Sequence, residues 1–120
     1  MTKFSDMAVL RSLLFVFDIE NTIDEGREEY IVSKDVNSDS ELLELFDRLL
    51  TPDFLAFQGH EREWFIEKIS FYLESGSDFD EIFSKITTYF DDDVKEQRRF
   101  MKVLLGCLRR YHSDAVRYLI

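Results

Sequence analysis

The sequence predicts an all-α fold: a single domain over residues 1–120, built as a bundle of five to six helices. Three observations carry this. Pro52 is the only proline and there are four glycines, so long helices meet few breakers. Apolar residues recur at helical spacing in several windows. Ser, Asp and Gly stand where those windows begin and end.

The first helix is expected from about Asp6 to Glu25, with Ser5 as its N-cap and Gly26 as its stop. Its middle, Leu13-Leu14-Phe15-Val16-Phe17, is apolar all round, which places it at the centre of the fold. Residues 27–37 are expected as a loop or a helical extension. Tyr30-Ile31-Val32 has strand propensity, but one short run has no obvious partner. Ser38 opens the next helix, with capping-box spacing to Glu41. Leu42, Leu43, Leu45, Phe46, Leu49 and Leu50 share one face, with Glu41, Glu44 and Asp47 opposite.

Thr51-Pro52 is expected to end that helix and to start a short one, Pro52 to Gln58, closed by Gly59. A helix from about His60 to Glu74 follows and stops at Ser75-Gly76. Ser77 then caps a helix from about Asp78 to Phe90, whose Phe79, Ile82, Phe83, Ile86, Tyr89 and Phe90 form one apolar stripe. Asp93 caps a longer helix from Val94 to about Tyr111, and Ser113 or Asp114 caps a short terminal one.

Composition supports a self-sufficient core. The chain is 45% apolar and holds 12 Phe. A chain of this length buries roughly two-thirds of its unfolded surface, so no disulfide or metal is needed for folding. Cys107 is the single cysteine, which rules out an intramolecular disulfide and fits a reducing compartment. The longest wholly apolar run, Leu13 to Phe17, is far short of the roughly 20 residues of a membrane-spanning helix. Arg11 interrupts the stretch after Lys3, so no signal peptide is expected. The expected location is the cytoplasm.

The formal net charge of −10 disfavours direct attraction to nucleic acid or to an anionic membrane. It favours encounter with a basic partner. The charge is unevenly spread. Residues 18–47 hold eleven acids against two bases, a net of −9. Residues 74–93 hold seven acids against Lys85, a net of −6. Residues 94–120 hold seven bases against two acids, a net of +5.

Motifs that carry chemistry fail on inspection. Asp35, Asn37 and Asp39 fit the first three ligand positions of a calcium loop, but Ser40 stands where glycine is needed and Phe46 where a bidentate Glu is needed. A polar loop leading into a helix cap is expected instead. In His60-Glu61-Arg62-Glu63 the second histidine of a zinc helix falls on Trp64, so the stretch reads as a solvated first turn. Cys107 and His112 lie about 140° apart on a helix and do not converge. No glycine-rich phosphate loop or nucleophile elbow is present. No catalytic residue, metal ligand or cofactor is expected, and the chain reads as a binder rather than an enzyme.

Three features point to binding surfaces. The helix after Asp93 puts Phe100, Met101, Val103, Leu104, Cys107, Leu108 and Tyr111 on one arc and Lys95, Arg98, Arg99, Lys102, Arg109 and Arg110 on the other. That basic stripe lacks interleaved aromatics for base stacking, so it is expected to be solvated or to lie near the protein's own acidic segments. Trp64 and Phe71 face away from Phe65, Ile66, Ile69 and Leu73, so they are either covered by a neighbour or anchor a partner. Asp91-Asp92-Asp93 has two acids more than a helix cap needs.

In size, acidity and helical content the chain resembles the immunity proteins of bacterial toxin systems, of the contact-dependent growth-inhibition and colicin types. It departs from the colicin type after Gly76-Ser77-Asp78, where Phe79-Asp80 stands in place of a Leu-Ile-Tyr-Tyr segment. The resemblance implies neutralisation of a basic toxin domain, a nuclease, by covering its active site or an adjacent surface. Glu41, Glu44 and Asp47 are expected to face the toxin, with Trp64, Glu67 and Phe71 as an aromatic flank and Asp91 and Asp92 as a further patch. Two alternatives stand beside this. One is a phage-type inhibitor that mimics DNA with two rows of acids. The other is a structural or adaptor subunit held by its aromatic face.

Overall fold

A computed structural model of the chain describes residues 6–21 and 25–117. Helix α1 covers Asp6–Ser12, and the apolar run then tightens into a 3₁₀ turn over Leu13–Phe17. The helix expected to reach Glu25 therefore stops early. Phe15, Val16 and Phe17 lose side-chain freedom in an α-helix. Their turn buries Leu13, Leu14, Val16 and Phe17 but leaves Phe15 50% exposed. The backbone then extends at Asp18 and pairs antiparallel with Thr88. The Ile19 N–H donates to the Thr87 carbonyl at 2.9 Å, and the Tyr89 N–H to the Phe17 carbonyl at 3.0 Å. Ser5 lies outside the described residues.

Gly26 is not a stop; it sits inside α2 (Glu25–Val32), so the uncertain stretch is helical up to Val32. Ile31, from the strand-like triplet, enters the core. Helix α3 (Asp39–Leu45) begins at Ser38, as expected, but the Ser38 side chain makes no capping bond and the box with Glu41 does not form. The chain continues through a π turn (Phe46–Leu50) into α4 (Thr51–Leu55). Thr51-Pro52 thus does not break the helix, which ends at Leu55 rather than Gln58. Proline lacks an N–H and crowds the carbonyl four residues back. The wider turn just before it, in which the Thr51 N–H reaches the Phe46 carbonyl, accommodates the ring.

Gly59 does not close α4; it opens α5 (Gly59–Glu74). Glu61 caps this helix by accepting from the Gln58 N–H at 2.8 Å. The far end follows the sequence expectation. Gly76 takes φ +78°, the Gly76 N–H bonds the Leu73 carbonyl and the Ser77 N–H bonds the Tyr72 carbonyl, a Schellman stop.

The largest departure follows. The helix expected over Asp78–Phe90 is a single turn, α6 (Asp80–Phe83). Residues 84–96 run irregularly as a strap, because β-branched Ile86-Thr87-Thr88 favours extended backbone and pairs with residues 17–19. The apolar stripe still points inward: Phe79 and Ile82 are buried, and Phe83, Ile86, Tyr89 and Phe90 pack against the core. Helix α7 spans Gln97–Arg117, starting after Val94 and passing through Ser113-Asp114 unbroken. Asp93 is therefore not its cap, and no separate terminal helix follows among the described residues.

The result is one all-α domain, with no strand among the described residues beyond the isolated bridge. Phe100 sits at the aromatic centre, with the rings of Phe46, Phe83 and Phe90 around it. Helices α5 and α7 pack antiparallel: Arg62 meets His112 at one end, and Arg98 reaches the Leu73 and Ser77 carbonyls at the other. Among the described residues, no helix is long and apolar enough to cross a membrane.

Candidate functional site

The acids of α3 are largely engaged by the protein's own bases. Glu44 pairs with the Lys34 ammonium at 2.5 Å, and that contact holds the Lys34 pKa above its ordinary value. Asp47 accepts from the Tyr111 hydroxyl at 2.6 Å and pairs with Arg110. Burial first, and donation to Asp47 second, push the Tyr111 hydroxyl far upward. Asp39 pairs with Arg99 at 2.6 Å. Of the basic stripe, Arg99 and Arg110 therefore lie against the acidic segment. Arg98 reaches backbone carbonyls, and Lys95, Lys102 and Arg109 are exposed and enter no ion pair among the described residues. Of the three acids expected to face a partner, Glu44 and Asp47 are held, and Glu41 is half-buried.

The calcium-like loop also serves as a tie. Asp35 accepts the Asn37 N–H, while Asn37 bonds the Asp93 carbonyl at 3.0 Å and accepts from the Lys95 N–H at 3.0 Å. Among the described residues, no group of three or more His, Cys, Asp or Glu side chains is placed to hold a metal. Cys107 is buried, and burial pushes its thiol upward, so it is a poor nucleophile. His112 turns away from it towards Arg62 and Glu63.

Trp64 and Phe71 stand seven residues apart on one side of α5 but differ in exposure. Trp64 is half-buried, edge-on to Phe65, with the Lys68 ammonium 5.8 Å from its ring. Phe71 is 59% exposed and touches Tyr72 edge-on. Glu67 is exposed on the rim of a groove between α5 and α7.

The acids of residues 74–93 are placed otherwise. Glu74, Asp78, Asp80, Glu81, Asp91, Asp92 and Asp93 are all exposed, and none enters an ion pair among the described residues. Asp80, Asp92 and Asp93 line a cleft of about 480 Å³ between α6, the strap and the start of α7. Phe83, Ile86, Phe90 and Val94 give it apolar walls, and Ser84, Thr87 and Thr88 add hydroxyls. The strap makes this concavity possible, since a continuous helix over these residues would bring no bridge back to Asp18. Acids above apolar walls complement a cationic head on an aliphatic stem. Asp92 was legible in the sequence as surplus acid. Asp80, Phe83 and Phe90 were not, because they meet only through the strap.

Arg62 is a further residue that the sequence hid. It is not in a solvated turn but buried, donating to His112 Nδ1 at 3.1 Å and to the Phe57 and Leu55 carbonyls at 2.7 and 3.4 Å. It closes the end of α4 and ties it to α5 and α7. An arginine flanked by two glutamates gives no sequence signal for that role. Comparison with known proteins finds no family model, no curated protein and no solved structure that matches this chain.

Proposed function

We propose that this protein works by binding rather than by catalysis, and that its partner is a basic protein. By its resemblance to immunity proteins, that partner is a nuclease toxin domain, neutralised in the cytoplasm by covering its active site or an adjacent surface. The observation that carries this reading is the set of seven exposed carboxylates over residues 74–93, none in an ion pair among the described residues and three of them around a cleft. Such a field raises the encounter rate with a cationic surface and selects against acidic ones. In this reading an Arg or Lys of the partner lays its stem against Phe83, Ile86 and Phe90, with its charge among Asp80, Asp92 and Asp93.

The test is capture of the basic protein encoded beside this chain, followed by association kinetics at rising salt. Reversal at Asp80 and Asp92 to Lys is expected to slow association by about tenfold or more at low salt. A captured partner whose binding ignores both salt and these reversals would sink the proposal. Glu44 and Asp47 are poor choices for that experiment, because reversing them also breaks Lys34 and Arg110 contacts inside the fold.

A further inference from the structure

The groove between α5 and the second half of α7 is built differently from the cleft. Its walls carry opposite charges: Glu63 and Glu67 on α5, Arg109 and Arg117 on α7. Between them lie Ile66, half-buried, and Val116, 39% exposed, in a hollow of about 580 Å³. These charges are poorly compensated within the chain. Glu67 and Arg117 enter no ion pair among the described residues, and Arg109 reaches only the Ser70 hydroxyl, at 3.4 Å. Glu63 has His112 at 3.4 Å. An apolar centre within a polar rim is the usual anatomy of a protein interface.

Any occupant must offer bases to one wall and acids to the other. The protein itself meets that condition. A two-fold axis laid along the groove exchanges its walls, so that α5 of one copy lies over α7 of the other. Each acidic wall then meets a basic one, twice over, as an isologous interface requires. We propose that this groove is the self-association face, and that its occupant is a second copy of the chain with Glu67 of each copy opposite Arg109 of the other. The net charge of −10 on each copy opposes the encounter at long range, but at physiological salt that repulsion is screened beyond about 8 Å. Gln97 at the acidic cleft and Ser113 at the groove are about 24 Å apart along α7, so the dimer leaves both clefts open.

Sedimentation velocity over a concentration series at physiological salt reads this directly. The unaltered chain is expected to form dimers as concentration rises. Glu67→Arg alone and Arg109→Glu alone are each expected to weaken dimerisation by about tenfold or more, since each sets like charges together at two points. An equal mixture of the two variants is expected to restore a dimer, because the reversed walls now complement one another. That restoration also shows that both variants are folded. A chain that stays monomeric throughout, a dimer that survives both reversals, or a mixture that fails to restore it would each overturn the proposal. None of those outcomes bears on capture of a basic partner at the cleft.

Discussion

The two acidic stretches of this chain look alike in sequence and differ in use. Residues 18–47 supply Asp39, Glu44 and Asp47 to Arg99, Lys34 and Arg110, and Asp47 also holds the Tyr111 hydroxyl. Residues 74–93 supply no carboxylate to any base among the described residues. The difference follows from placement. Asp39 and Asp47 lie within reach of Arg99 and Arg110 on α7, whereas Arg98, which reaches the second stretch, gives its guanidinium to the Leu73 and Ser77 carbonyls rather than to a carboxylate. Charge density along a chain therefore does not say which charges remain for a partner. Exposed ion pairs contribute only about 0–1 kcal/mol each, so the pairing matters more for availability than for stability.

Phe100 is where the two regions meet. Its ring touches Phe46 from the first and Phe83 and Phe90 from the second. Phe100→Ala is expected to cost about 3–5 kcal/mol, read by urea denaturation, because the cavity opens between both sets of rings. Near-UV and far-UV signals should move together. If only one region melted, the aromatic centre would not be the joint that makes one domain of them.

How much of this was legible depended on how local each cause was. The end of α5 was readable because Ser75-Gly76 sets its own stop through φ at one residue. The inward faces of α3 and α7 were largely readable from spacing alone: Leu42, Leu45, Phe46 and Leu50 are buried as the period requires, while Leu43, read onto the same face, is 38% exposed. The strap was not, because Thr87 and Tyr89 take their backbone partners from Ile19 and Phe17, about seventy residues back in the chain. Pro52 misled for a related reason: whether a proline ends a helix depends on whether the preceding turn can widen. The candidate cleft shares the strap's obscurity. Asp92 and Asp93 stood out in the sequence, but Asp80 joins them, and the walls form, only with the strap that bridges to Asp18.

The inner use of the first region has a pH signature. Burial and the bond to Asp47 raise the Tyr111 pKa, and burial raises that of Cys107, so both groups are neutral in the fold. Below their ordinary values, about 10 and 8.5, the unfolded chain holds these protons too, and the full contribution is present. Above those values the unfolded chain loses protons that the folded chain keeps, so stability falls as pH rises. Denaturation midpoints measured from pH 7 to 11 should decline on the alkaline side. Tyr111→Phe should cost about 1–2 kcal/mol at pH 7 and make that decline shallower. An equally steep decline in the variant would remove Tyr111 from the account.

The smallest expected effect is the sharpest test of the contrast between the regions. Asp92 is exposed, enters no ion pair among the described residues and is flanked by two further aspartates. Asp92→Asn relieves some of that mutual repulsion, and it removes a negative charge from the neighbourhood of the first turn of α7, where negative charge is favourable. The two changes oppose each other, so thermal unfolding should move by no more than about 0.5 kcal/mol in either direction. Asp47→Asn, judged in the same assay, should cost more, since Tyr111 and Arg110 both lose a charged acceptor. A large loss at Asp92 would mean that the second acidic region also holds the fold together. It would then have no more claim to a partner than the first.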